Sequence, residues 1–127
     1  MQVRITETFA NENASHVKFR SPVGDGIGVC TDASIKTGAR LDVELDLDEV
    51  FSWGRNIRPS LCKTPQIMVI NGITHITAKL IQSSDNEFAA LQVGDSIILI
   101  ELDGPMPQEH EFVDLKAAKI HLYPTNI

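Results

Sequence analysis

The strongest constraint on the fold is the spacing of the apolar residues, which recur at every second position over most of the chain. In "HVKFR", Val17 and Phe19 alternate with polar residues, and in "RLDVELDLD" the apolar positions run from Leu41 to Leu47. A period of two places these side chains on one face of an extended strand, whereas helical spacing is hard to find. Clusters of Gly, Pro, Asn and Asp interrupt the pattern at short intervals. The chain is therefore predicted to be all-β.

One turn has a particularly clear signal. The segments "QIMVI" and "ITHITAKLI" flank Asn71-Gly72, a dipeptide that accepts the positive φ angles of a tight hairpin turn. On the second segment the alternation predicts Ile76, Ala78 and Leu80 inside. A β-hairpin is expected here.

The predicted architecture is a single domain over residues 1–127, long enough to bury its own core. Six to eight short, mostly antiparallel strands without crossover helices suggest a small β-barrel or a β-sandwich, closest in shape to the five-stranded OB barrel. The two longest loops are expected at about 52–65 and at about 103–111.

The segment Ile97–Ile100 departs from the alternation because all four of its residues are apolar. Such a run is typical of a strand covered on both faces. The cover is either a loop or helix of the same chain or a second subunit. Self-association through Ile97–Ile100 is therefore one prediction.

The charge balance limits the classes of partner. With 17 Asp and Glu against 11 Lys and Arg, the net charge is -6. An acidic surface repels phosphate, so a nucleic acid is an unfavourable main ligand and a cationic protein is a favourable one.

The apolar runs and the cysteines bear on location and cofactors. The runs "IMVI" and "IILI" are too short to cross a bilayer, and the N-terminal segment lacks a signal-peptide core, so a cytoplasmic protein without membrane attachment is expected. Cys30 and Cys62 lack CxxC spacing and are expected to be reduced thiols, buried or half-buried. No cofactor is predicted.

An acidic row precedes the only tryptophan of the chain. Its members share one face of a predicted strand, with Cα atoms about 6.6 Å apart from one to the next, and they are Asp42, Glu44, Asp46 and Asp48. Calcium needs six to eight oxygen ligands around one point, which a straight strand does not provide, so no metal site is predicted. Two neighbouring carboxylates would suit the separation in an inverting glycoside hydrolase, but that chemistry needs one of them buried.

Other signatures of enzymes are missing. "GDGIG" has neither the GxGxxG spacing nor a Walker lysine, no serine lies in a GxSxG motif, and the four histidines are scattered. The chain is therefore predicted not to be an enzyme.

Two interpretations of the acidic row remain. If the strand of Lys18 and Arg20 pairs with Leu41–Asp48, the opposite charges lie side by side within the molecule. Otherwise the row faces outward and forms a docking surface for a basic partner.

The segment after the row adds Trp53, Arg55 and Arg58, in the loop "FSWGRNIRPSLCKTP". Tryptophan and arginine are enriched at interface hot spots, so these residues join the acidic row as predicted partner-binding residues. The competing interpretation is that Trp53 closes one end of the barrel.

These observations predict a non-enzymatic protein-binding module with an acidic face. A specific form is an immunity or antitoxin-type protein that masks a basic site on its partner. The alternative is a small barrel that binds an oligosaccharide or a single-stranded nucleic acid through Trp53, Arg55 and Arg58. A second alternative is a glycoside-hydrolase-like enzyme that uses the acidic row.

Overall fold

The described part of the chain consists of strands and the turns between them. The computed structural model describes residues 1–11, 14–30, 35–84, 87–104 and 111–125. Its strands are β1 Gln2–Asn11, β2 Ala14–Ser21, β3 Gly24–Cys30, β4 Arg40–Asp46, β5 Val50–Phe51, β6 Ile57–Pro59, β7 Gln66–Ile70, β8 Ile73–Ser84, β9 Phe88–Val93, β10 Ser96–Leu102, β11 Phe112–Ala117 and β12 Ile120–Pro124. No helix in these residues is long and apolar enough to span a bilayer.

Five strands close into a barrel in the order β1, β2, β3, β12 and β4, with β4 pairing again with β1. Every pairing in the barrel is antiparallel except that of β3 with β12. The alternating residues face inward as predicted, which fills the barrel with Val3, Ile5, Val17, Phe19, Val43, Leu45, Ile120 and Leu122.

The other seven strands form a second sheet around β8. β7 pairs with the first half of β8 and β9 with its second half, while β11 pairs along the opposite edge. β10 extends the sheet beyond β9, β5 pairs in parallel with β10, and β6 pairs with β11. The inner face of this sheet is buried and includes Phe51, Leu91, Ile98, Ile100 and Leu115.

The sequence correctly predicts the all-β class and a small β-barrel or β-sandwich, but the strand count is larger than expected. The described residues hold twelve strands instead of six to eight. β5 and β6 have two and three residues, which is too short for an alternating pattern to be recognised. The predicted loop at 52–65 therefore contains β6, and most of the predicted loop at 103–111 lies outside the described residues.

The hairpin at Asn71-Gly72 is confirmed. Both residues have positive φ angles, 52° and 78°, and Ile70 pairs with Ile73 across the turn.

The prediction that a loop or helix of the same chain covers the second face of Ile97–Ile100 is wrong for the described residues, whereas cover by a second subunit stays a prediction. Ile98 and Ile100 are buried on the inner face of β10, but Ile97 is 54% exposed and Leu99 is 66% exposed. One side of this strand therefore packs in the core, and the other side is apolar but faces solvent. A run of apolar residues does not distinguish this arrangement from a strand that is buried on both faces.

The expected environment of the thiols is half correct. Cys30 is buried, but Cys62 is exposed in the segment between β6 and β7.

Candidate functional site

The acidic row lies on the outer face of β4 and its continuation toward β5. Asp42, Glu44 and Asp48 are exposed and Asp46 is half-buried. The residues between them are buried in the barrel, as the alternation predicts. The carboxylates are therefore available to solvent on one side of a rigid strand.

The predicted pairing of the row with Lys18 and Arg20 is wrong, because β1 lies between β2 and β4. Lys18 instead forms an ion pair with Glu7 at 3.4 Å, and Arg20 lies 3.9 Å from Asp25. The period of two that suggested the pairing was correct for both strands, but it carries no information about which strands are neighbours.

The strands that do flank β4 present other side chains to the row. Tyr123 lies opposite Glu44 and His121 lies opposite Asp46 on β12. The two rings are stacked with their centroids 6.5 Å apart. Within the described residues, Glu44, Asp46 and Asp48 form no salt bridge with a Lys or Arg side chain.

One end of the row is occupied by an ammonium group. The amino group of Met1 lies 3.1 Å from an Asp42 carboxylate oxygen and 3.7 Å from an Asp95 carboxylate oxygen. Asp42 is thus partly neutralised within the chain, and the more available carboxylates are those further along β4.

A groove runs between the barrel and the second sheet, with the acidic row along one side. Residues 42–45 border a hollow of about 330 Å³ together with residues 95–97. Residues 46–50 border the next hollow, of about 320 Å³, together with Phe88 and residues 99–101. β4 and β10 therefore run side by side in the same direction, and their continuation is hydrogen-bonded where Val50 pairs with Glu101.

This acidic groove combines negative charge with exposed apolar surface. Its carboxylates are Asp42, Glu44, Asp46, Asp48, Glu49, Asp95 and Glu101. Its exposed apolar side chains are Val50, Phe88, Ile97 and Leu99. Glu49 also has a structural role, because one of its carboxylate oxygens accepts a hydrogen bond from the backbone N–H of Ala118 at 2.8 Å.

The carboxylates of the acidic row are poorly placed for general acid catalysis and for binding a metal ion. None of its four carboxylates is buried, although a general acid of the glycoside-hydrolase kind needs a carboxyl shielded from water. Within residues 1–11, 14–30, 35–84, 87–104 and 111–125, no three His, Cys, Asp or Glu side chains are grouped as metal ligands.

Trp53, Arg55 and Arg58 do not lie with the acidic row. Trp53 is half-buried against the core, and its buried indole Nε1 has no hydrogen-bond partner among the described residues. The Arg55 guanidinium donates a hydrogen bond to the Val50 carbonyl at 2.9 Å, and Arg55 and Arg58 line a separate cavity on the second sheet. The seven residues predicted as one surface are thus divided among three places, the acidic row on β4, Trp53 against the core and the cavity of Arg55 and Arg58.

Sequence reasoning missed the contribution of the second sheet to the groove. Asp95, Glu101 and Phe88 belong to it, yet they are more than 40 positions away from most of the acidic row in the chain. The signal that was available is the outward side of β10, where Ile97, Leu99 and Glu101 alternate with buried residues. Exposed apolar side chains that are bordered by polar residues often mark an interaction site.

Comparisons of the chain with protein-family models, with curated proteins and with solved structures return no match.

Proposed function

We propose that this protein is a non-enzymatic binding module whose acidic groove holds a cationic, partly apolar segment of another protein. The observation that supports the proposal is the arrangement of the groove. In each of its two adjacent hollows, carboxylates of the acidic row lie beside an exposed apolar side chain of β10.

The two components of the groove would have different roles in binding. The carboxylates attract Lys and Arg side chains and accelerate association by electrostatic steering. Ile97, Leu99 and Phe88 supply apolar area, and each comparable side chain that is fully buried contributes about 1.5–3 kcal/mol. A partner segment that alternates cationic and apolar residues would satisfy both.

A second copy of the same chain is a poorer occupant of the groove. A symmetric pair would bring two sets of seven carboxylates together, and like charges across an interface are unfavourable. A partner of opposite charge has no such cost.

The specific form of the proposal is an immunity-type protein that acts in the cytoplasm. It would cover the basic, phosphate-binding site of a toxin that attacks nucleic acid. The net charge of -6 and the solvent-facing carboxylates of β4 favour such a partner.

The alternative, binding of an oligosaccharide or a single-stranded nucleic acid in the manner of an OB-like barrel, is less well supported. It requires an aromatic platform on which bases or sugars stack. Trp53 packs against the core, and its Nε1 is buried.

Affinity capture with matched variants tests the proposed function. The groove variant carries Glu44→Gln, Asp46→Asn and Asp48→Asn. The control variant carries Glu7→Gln, Asp25→Asn and Glu111→Gln, three exposed carboxylates that do not line the groove. Each variant loses three negative charges, so both change from -6 to -3.

We expect the wild-type and control proteins to retain a basic protein from a lysate of the source cells, and the groove variant to lose it. The immunity form further expects the purified partner to degrade nucleic acid, and the wild-type protein to inhibit it. Equal retention by all three proteins would show that the acidic row does not contact the partner.

A further inference from the structure

A second cavity, of about 240 Å³, lies on the outer face of the second sheet, where β6, β11, β8 and β7 are neighbours. The strand register arranges its polar lining in two rows. Arg58, Asp114, Thr77 and Gln66 lie opposite one another across the four strands. In the adjacent row Lys116 lies opposite His75, which lies opposite Met68.

This cationic pocket has the opposite charge to the rest of the surface. It is lined by Arg55, Arg58 and Lys116, and Asp114 is the one carboxylate among its described lining residues. In the described part of the chain, neither Arg58 nor Lys116 forms a salt bridge. Two exposed positive charges are therefore open to an external anion in a protein whose net charge is -6.

The spacing of the two cations suits a single anionic group. Arg58 is directly opposite Asp114, and Lys116 is two positions further along the same face of β11. Diagonal neighbours of this kind are about 7–8 Å apart at their backbones, a distance that two long side chains can bridge to one phosphate. Arginine and lysine are the usual protein ligands of phosphate.

The rest of the lining suits hydroxyl groups. The Thr77 hydroxyl donates a hydrogen bond to an Asp114 carboxylate oxygen at 2.7 Å, which fixes this carboxylate in the floor of the pocket. Thr77 is only 5% exposed, so this hydrogen bond is largely shielded from solvent. Beside the cations, the other Asp114 carboxylate oxygen can accept a hydrogen bond, and the Gln66 side-chain amide can both donate and accept one.

We propose that this pocket binds a small phosphate ester that carries hydroxyl groups, a molecule of the sugar-phosphate class. The phosphate lies between Arg58 and Lys116, and the hydroxyls face Asp114 and Gln66. The modest volume of the pocket favours a small molecule over a polymer. The pocket shares none of its lining residues with the acidic groove, so this inference stands or falls independently of the proposed function.

A titration followed by amide chemical shifts tests the proposal. ¹⁵N-labelled protein is titrated separately with ribose 5-phosphate, inorganic phosphate and ribose, each to about 10 mM, ten times a dissociation constant of about 1 mM. The same titrations are made with Arg58→Gln and Lys116→Gln. Arg40→Gln and Lys36→Gln are the matched controls, because both residues are exposed and lie outside the pocket.

Ribose 5-phosphate is expected to change the amide chemical shifts of Thr77, Asp114 and Lys116 in a saturable way. It is expected to bind more tightly than inorganic phosphate, whereas ribose alone should have little effect on these chemical shifts. Each pocket variant is expected to lower the affinity for ribose 5-phosphate at least tenfold, and each control variant less than twofold. Absence of localised shifts, or equal weakening by the control variants, would overturn the proposal. Equal affinity for ribose 5-phosphate and inorganic phosphate would overturn its hydroxyl-binding part.

Discussion

At the scale of single residues, Asn56 holds the two ends of the second sheet together. Its side-chain oxygen accepts a hydrogen bond from the Ser52 N–H at 2.7 Å, and its side-chain nitrogen donates one to the Val50 carbonyl at 3.1 Å. Its own carbonyl accepts a hydrogen bond from the Lys116 N–H at 2.9 Å. Through its side-chain amide and its backbone carbonyl, Asn56 therefore connects β5, at one end of the sheet, to β11 near the other.

Replacement of Asn56 by Ala is expected to lower the free energy of unfolding by about 1–3 kcal/mol, because it leaves the Ser52 N–H without its partner. Urea unfolding followed by circular dichroism measures the change. Ser60→Ala is the control, since the Ser60 hydroxyl accepts an exposed hydrogen bond from the Cys62 N–H. A loss for Asn56→Ala no larger than that for Ser60→Ala would contradict the bridging role.

At the scale of elements, the barrel and the second sheet are joined where β3 meets β7. Gly24 pairs with Ile67, and the Ile67 N–H donates a hydrogen bond to the Val23 carbonyl at 2.8 Å. The φ angle of Gly24 is 132°, and a Cβ added there would collide with the Ile67 carbonyl oxygen. The close approach of the two backbones needs glycine at this position.

A second glycine, in the turn between β7 and β8, provides a comparison for the junction. Gly72 also has a positive φ angle, but a Cβ there would meet open space. Gly72→Ala is expected to cost about 1 kcal/mol and Gly24→Ala about 3 kcal/mol or more, since backbone strain and a collision then add. Urea unfolding of both variants measures the difference, and equal costs would show that the junction tolerates a side chain.

Features of the fold could be predicted from the sequence where they depend on residues close together in the chain. The faces of β4 and the turn between β7 and β8 follow from alternation and turn chemistry, which neighbouring residues determine. The neighbours of β4 do not, because β1 separates it from β2 and β10 approaches it from the second sheet. The row from Asp42 to Asp48 could therefore be predicted from the sequence. The apolar half of the candidate site could not, because it depends on which strands are neighbours in the fold.

At the scale of the whole molecule, charge is distributed unevenly over a small protein. Seven carboxylates border the acidic groove, while Arg55, Arg58 and Lys116 line the cationic pocket. The net charge of -6 alone would have suggested a uniformly acidic surface. Partners of opposite sign are thus expected at different places on the molecule.

The exposed side of β10 also leads to a prediction about self-association. At low ionic strength the carboxylates of the groove are expected to keep copies of the chain apart. At about 1 M salt, where the screening length falls to about 3 Å, exposed Ile97 and Leu99 are expected to promote association at high micromolar concentration. Static light scattering measures the weight-average mass.

A double variant, Ile97→Ser with Leu99→Ser, is expected to remain monomeric at high salt. Ile70→Ser with Ile73→Ser is the matched control, since these residues form an exposed apolar pair on the β7–β8 hairpin. A monomeric wild-type protein at high salt, or association that survives the loss of Ile97 and Leu99, would contradict the prediction.

The most direct test of the acidic groove uses a labelled peptide of alternating Lys and Leu, with a Lys and Ser peptide of equal length and charge for comparison. Fluorescence anisotropy is measured with the wild-type protein, the groove variant and the control variant. We expect the wild-type protein to bind the Lys and Leu peptide more tightly than the Lys and Ser peptide, and the groove variant alone to lose about tenfold in affinity, or about 1.4 kcal/mol. Equal losses in the groove and control variants would show that the peptide responds to net charge and not to the groove.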